Sequence, residues 1–370
     1  LGETKGLLGL LNHIHTSQAI LITTSTSTGY HFLKTHLSKN PIASPYIVRL
    51  APPDECHTLN RFIKQYQVSS FINYEMELWP NLLRVCAHQH IPTYWVAARW
   101  THSASTVYKL FPQITDVCIK NFQYIYPSSV QDGERIQKHI SKKDHISSSS
   151  NVLDGKFLFY RWIHNSIQTE RPPSVTSVAR LTLAFLSIHY QELRTLEPFL
   201  EALKKKFRLL IFPRNTREFS KVHSLLSRYS ITVYSPKMLA EDAKGHLWFN
   251  TFGDVEKWLP RCTHAFVGGT LVPKGGHNFW EPWFAKCFIW HGPSIFKQSG
   301  VIEILAKYNM AEGIASPQEM LKESNTFSDI SRQQWESTLT EILSQMKESL
   351  VHLERELACN TPSQSFHTTS

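Results

Sequence analysis

No stretch of this sequence stays apolar for anything near the ~18 residues that a membrane-spanning helix needs, so the chain is read as soluble or peripheral. It has no C-x-x-C pair. Its cysteines, at 56, 86, 118, 262, 287 and 359, are too scattered for a zinc site or a disulfide framework, and a reducing cytoplasm suits them best. No nucleic-acid module signature is present, and apart from Lys142-Lys143 and Lys204-Lys205-Lys206 the basic residues are dispersed. His189 and His277 stand without the carboxylate and histidine spacing of a metal site, so both are read as structural or substrate-orienting. There is no internal repeat and no signal peptide. The first residue is Leu1 rather than Met, which suggests that something upstream has been removed.

What is present describes a folded protein with anionic partners. Hydrophobic residues make up 42% and aromatics 12%, enough for sizeable cores, and 370 residues exceed what one core usually supports, so two domains are expected. Lys and Arg number 39 against 30 Asp and Glu, a net charge of +9. That excess favours phosphorylated substrates or an acidic membrane surface, with nucleic acid the least favoured of the three. Apolar runs at Ala19–Thr24, Tyr46–Leu50, Ser70–Tyr74 and Thr93–Ala97, then Leu181–Ser187, Arg208–Pro213, Ile231–Tyr234 and His264–Val267, alternate with helix-like stretches. This is the α/β pattern of parallel sheets. Polar segments at Ser141–Asn151 and Gln168–Ser177 read as a loop and an interdomain linker. Near the end, Trp335, Leu339, Ile342, Met346, Leu350, Leu353 and Leu357 form one apolar stripe of a long helix, with Ser331 and Gln334 as its capping box.

The most telling segment runs from Phe266 to Glu281, where a buried strand empties into a glycine-rich turn that opens a helix. Backbone N–H groups at a helix start attract an anion, and Gly275 and Gly276 would let a phosphate approach. A tight strand-to-helix connection is the plainer reading of such a turn. Four more clusters fall where ligands collect in open α/β sheets: Gly2-Glu3 with Thr24–Gly29 downstream, Glu75–Asn81, Ser187–Glu192 and Phe212-Pro213-Arg214.

Together these motifs resemble the lipopolysaccharide Kdo transferases, glycosyltransferase family 30, from Leu1 to about residue 350. Leu1-Gly2-Glu3 fits the end of the family's S-x-G-E motif, Thr26–Gly29 its T-x-T-G, and Glu75–Asn81 its E-x-E-L-W-P-N. Ser187, His189 and Glu192 fit S-x-H-x-x-E, Pro213-Arg214 fits the P-R pair, and Gly268–Glu281 fits the long glycine-rich signature. There are departures. N-A-R becomes Ala97-Ala98-Arg99, R-H becomes Arg214-Asn215, G-E becomes Gly253-Asp254, and G-N-L-K-F is blurred to Leu153–Phe157.

The resemblance implies an α/β fold of GT-B architecture, two Rossmann-like domains with a cleft between them, transferring 3-deoxy-D-manno-octulosonate (Kdo) from CMP-Kdo to a lipid A precursor with inversion. It implies no metal and no cofactor. Glu3 is expected to be the general base, where a helix-start carboxylate is the plainer alternative; Glu75 is expected to stabilise the transition state, with Glu77 in support, and Lys156 to neutralise developing charge. CMP is expected to meet Pro213, Arg214, Phe252, Gly253, Asp254, Gly275, Gly276, Asn278 and Glu281, with Phe279 and Trp280 giving backbone to the pocket while their rings pack inward. Residues 1–160 would form the acceptor-binding domain, 161–180 a linker, 181–330 the donor domain, 331–358 a helix returning to the first domain, and 359–370 a disordered tail. An anionic surface, the cytoplasmic face of a bacterial inner membrane, is the expected location, with the family's anchor segment absent from this sequence. Two rivals stand beside this reading: a GT-B transferase of altered donor or acceptor, suggested by Ala97 and Asn215, and an inactive nucleotide- or lipid-binding relative.

Overall fold

The computed structural model describes residues 2–100, 110, 112–138, 152–166, 181–237, 244–251, 254–322 and 332–359. The expected loop at 141–151, the linker beyond 166, Phe252, Gly253, Ser331 and the tail beyond 359 lie outside the described residues. Two compact units emerge: the first comprises Leu1–Ile163 with Thr340–Ser370, the second His164–Leu339.

In the first unit helix α1 (Gly2–Leu11) precedes strand β1 (Ile20–Thr24), helix α2 (Ser27–Lys39), strand β2 (Tyr46–Leu50) and helix α3 (Cys56–Tyr66). Strand β3 (Phe71–Tyr74), helix α4 (Pro80–His88), strand β4 (Thr93–Ala98), helix α5 (Pro112–Lys120), strand β5 (Tyr124–Pro127), helix α6 (Val130–Gln137) and helix α7 (Gly155–Ser166) follow. β1 pairs with β2, while β3, β4 and β5 form a separate three-stranded sheet, all in parallel. β4 is buried along its whole length, as a central parallel strand should be, and Trp95 and Trp100 anchor the core beneath it. The helix starts are built locally. Thr26 Oγ1 accepts from the Gly29 amide, and Asp54 receives the amides of Asn81 and Leu82 where Pro80 opens α4. Most of the W-P-N part of the E-x-E-L-W-P-N motif is therefore a helix start.

The second unit is one seven-stranded parallel sheet in the order β12-β11-β10-β6-β7-β9-β8. Its strands are β6 (Thr182–Ile188), β7 (Arg208–Pro213), β8 (Thr232–Val233), β9 (Leu247–Trp248), β10 (His264–Val267), β11 (Phe288–His291) and β12 (Ala311–Gly313). Helices α8 (Tyr190–Leu196), α9 (Leu200–Lys206), α10 (Phe219–Ser227), α11 (Val255–Trp258), α12 (Trp280–Phe284) and α13 (Ser299–Lys307) connect them. The strand order reverses between β6 and β10, the kind of switch point beside which open sheets bind ligands.

Helix α14 (Arg332–Cys359) closes the described chain. Trp335, Ile342, Met346, Leu353 and Leu357 of the expected stripe are buried. Within the second unit the Trp335 indole donates to the Trp283 carbonyl at 3.2 Å and stacks on that ring. Within the first, His352 meets the Tyr126 hydroxyl at 2.8 Å and Glu354 receives the His15 amide. Gln334, expected in a capping box, donates to the Tyr308 carbonyl at 2.6 Å.

Candidate active site

In the first unit a carboxylate cluster gathers around the end of β3. Glu75 follows the last strand residue with φ +58, a left-handed conformation that a glutamate holds only under constraint. The constraint is visible: its amide bonds the Val96 carbonyl, its own carbonyl accepts from the Trp95 indole, and its carboxylate pairs with Lys156 Nζ at 3.0 Å. Burial by itself would raise the Glu75 pKa, but the charges of Lys156 and Arg99 outweigh it and hold the group below its ordinary value. Glu75 is thus an anion kept ionised in a dry place.

Lys156 is set by the start of α7. Asp154 Oδ1 accepts the amides of Lys156 at 2.9 Å and Phe157 at 3.3 Å, so the blurred motif around Lys156 keeps a working N-cap. Glu3 lies in the first turn of α1, the place its plainer reading required, yet it also faces the cluster. Burial, together with the charges of Glu75 and Glu77, raises its pKa above the ordinary carboxylate value, against the pull of Lys156. A carboxylate shifted this way is a better proton acceptor near neutrality. Arg99 completes the group: burial opposes its charge, while Glu75, Asp154 and Asp132 favour it more. Glu77 is exposed and accepts from the Trp79 indole at 2.9 Å.

The second unit presents the glycine-rich segment differently from its expected form. Glu192, wholly buried, accepts the amides of Gly269 at 2.8 Å, Thr270 at 3.0 Å and Leu271 at 2.9 Å, as well as that of His189 at 3.0 Å. The amide of Gly275 goes to Ser294 Oγ, that of Gly276 to the Gly269 carbonyl and that of His277 to the Gly268 carbonyl. These amides shape the turn and are not a vacant phosphate cradle, and α12 behind them is only five residues long. Gly275 and Gly276 hold φ of +83 and +81, which explains the glycines without a ligand. With these amides taken, the side chains expected to meet CMP are the remaining candidates for holding an anion.

Those side chains differ in exposure. Arg214 is exposed directly after β7, and its amide bonds the Ile188 carbonyl. Its charge, after burial, helps depress His277, whose pKa falls to about 3. His277 Nε2 and His189 Nε2 are 2.9 Å apart, so one ring donates and the other accepts. Asn278 and Glu281 are partly exposed, Asn278 Oδ1 taking the Trp280 amide. Phe279 and Trp280 are buried. Pro213 is buried at the strand end, and Asp254 accepts from Thr251 Oγ1 ahead of α11. Phe252 and Gly253 lie outside the described residues. Among the described residues no group of His, Cys, Asp and Glu is arranged to hold a metal ion, and no helix is long and apolar enough to cross a membrane.

The sequence reading missed Asp154, Tyr74 and the anchoring role of Glu192. A D-x-K spacing ahead of an apolar run is a usable cap signal for the first. The contacts of Tyr74 with Gly6 and Gly155, and of Glu192 with Gly269–Leu271, have no local signal, because those partners are distant in sequence.

Solved structures fix the class. Anabaena HepE in complex with UDP superposes with a TM-score of 0.55 at 10% identity, covering 96% of this chain and 94% of that one. The S. aureus MnaA–UDP structure gives 0.52 at 10% identity, over 93% and 88%. The fold is that of the GT-B class, with two Rossmann-like units. Within that class the chain is similar to the Kdo transferases: residues 1–154 match the family described as 3-Deoxy-D-manno-octulosonic-acid transferase (kdotransferase). The 3-deoxy-D-manno-octulosonic acid transferase of Aquifex aeolicus is 23% identical over 352 residues, 94% of this chain and 85% of that protein. That of Rickettsia felis is 22% identical over 329 residues, 86% and 68%. A bifunctional glycosyltransferase/methyltransferase of Fusobacterium nucleatum is 24% identical over 273 residues, 72% of this chain but only 41% of the longer protein.

Proposed function

We propose that the chain is an inverting glycosyltransferase that moves Kdo from CMP-Kdo onto a lipid A precursor at the cytoplasmic face of a bacterial inner membrane. The observation that carries this reading is the Glu3, Glu75 and Lys156 cluster, three motif positions brought together in the first unit with two carboxylates driven in opposite directions. Opposed pKa shifts in one site support a base beside a stabilising anion.

An acceptor hydroxyl oxygen attacks the anomeric carbon and its proton passes to the Glu3 carboxylate. The bond from that carbon to the phosphate oxygen breaks, and its electron pair leaves with CMP. Glu75, kept anionic by Lys156, stabilises positive charge at the anomeric carbon in the transition state. Arg214 meets the phosphate through its planar fork, while Asn278 and Glu281 meet ribose or base. With this division of labour the reaction asks for neither metal nor cofactor, and the +9 charge suits both the phosphorylated acceptor and an anionic lipid surface.

In the test, purified protein is given CMP-Kdo with and without a lipid A precursor, and CMP release and product mass are followed. Release only with acceptor, abolished in Glu3→Gln while CMP still binds, is the expected result, and the product mass counts the sugars added. Tight CMP binding with no turnover on any acceptor would overturn it. One observation favours a second reading, a changed donor or acceptor: Ala97 keeps φ +50 where the family's motif has Asn, a residue at home in that conformation, so the backbone persists without the amide. Release from an unrelated sugar nucleotide would support that reading.

A further inference from the structure

We propose that the Tyr74 hydroxyl is the spacer that sets the distances among Glu3, Glu75 and Lys156, a positioning group acting by volume; this rests on the catalytic reading above. Tyr74 ends β3 and immediately precedes Glu75. Its hydroxyl is buried and, among the described residues, has no hydrogen-bond partner. Buried tyrosines normally satisfy that group, so its retention calls for another reason.

The reason lies in what it touches. A Cβ placed on Gly6 of α1 or on Gly155 of α7 would collide with the Tyr74 hydroxyl oxygen. The two helices cross backbone to backbone here, since a Cβ on Gly9 would strike the Gly155 carbonyl and the Phe159 amide, and one on Gly155 would lie 2.6 Å from the Gly6 carbonyl. Gly6 lies one turn after Glu3, Gly155 adjoins Lys156, and a Cβ on Gly6 would come within 3.3 Å of Lys156 Cγ. One oxygen atom thus fills the notch where the three segments bearing the cluster meet. No hydrogen bond directs it; its size does.

The geometry makes an asymmetric demand on variants. In Gly6→Ala the new methyl meets the hydroxyl first, with the ring carbon Cζ behind it at 3.1 Å, so removing the hydroxyl opens room. In Gly155→Ala the backbone carbonyl of Gly6 is also in the way, so removing the hydroxyl does not. Tyr74→Phe is expected to lower kcat about tenfold to a hundredfold, the scale of a misplacement near 1 Å, with the KM for CMP-Kdo unchanged. Gly6→Ala should lose transfer, Gly6→Ala/Tyr74→Phe should recover to the level of Tyr74→Phe, and Gly155→Ala/Tyr74→Phe should not recover. Should Gly6→Ala fail to fold, a folded double variant supports the spacer and an unfolded one overturns it. A Tyr74→Phe protein with wild-type kcat overturns it too, as does a double variant no better than Gly6→Ala. If the wild-type protein transfers nothing, the catalytic reading fails by itself, and carboxyl ¹³C NMR still decides the spacer. The Glu3 titration shifts in Tyr74→Phe if the hydroxyl sets its distance from Glu75 and Lys156, and an unmoved titration sinks the proposal.

Discussion

Glu75 and Lys156 show how a buried pair writes itself into pH dependence. The Glu75 carboxyl is held below its ordinary value, so its contribution to stability is complete above the ordinary carboxylate range and disappears as pH falls through the lowered value. Lys156→Met leaves a buried anion without its salt-bridge partner and is expected to cost roughly 3–5 kcal/mol at pH 7, less at pH 4, closer to the protonation of Glu75. Urea unfolding at the two pH values measures both arms. Glu192→Gln should be comparably damaging, about 3 kcal/mol or more, because one charged acceptor serves four amides and an amide side chain points N–H groups at some of them. Its effect on CMP affinity should exceed that of Asp254→Asn, since Glu192 shapes the whole glycine turn; calorimetric titration of CMP compares them. Glu3, Glu75 and Lys156 were legible as motif letters. That Glu192 holds the amides of the Gly269–Leu271 turn was not, because that turn lies more than seventy residues from it.

At the scale of elements, hydrophobic runs placed eight strands within a residue or two, and the structure adds β5, β9, β11 and β12. β9 and β12 are two and three residues long, and β12 reads Ala-Glu-Gly, too short and polar for periodicity to register. β5, Tyr-Ile-Tyr-Pro, ends in a proline that argues against a strand by composition. Helix α3 carries its own test. It ends on Gln67 in the left-handed conformation at φ 50 and ψ 47, a position where a side chain is strained and glycine is not. Gln67→Gly should raise stability by about 0.5–1 kcal/mol, seen as a higher melting temperature with activity unchanged.

For the molecule as a whole, acid is the expected weakness of the second unit. Burial lowers the pKa of His264 to about 4 and of His277 to about 3, and depresses His189 and His291 as well. These rings stay neutral when folded but bind protons at 6.5 when unfolded, so stability is full above that value and is lost as pH falls below it. The urea midpoint should drop between pH 7 and pH 5 in a fragment spanning the second unit, and a His277→Asn variant should drop less. Thiol chemistry divides the same way: Cys56 and Cys359 are exposed and Cys86, Cys118, Cys262 and Cys287 are buried, so mass spectrometry after brief native alkylation should find two labels.

Helix α14 has a consequence for how such a chain comes into being. Its later residues belong to the unit that the first 163 residues begin, where His352 reaches Tyr126 and Glu354 reaches His15. A ribosome delivers the polypeptide from its amino end, so the second unit has all its parts in hand while the first still waits for its final helix. The portion synthesised earliest is the one completed last, and a nascent chain stalled before residue 340 leaves Tyr126 and His15 without those partners.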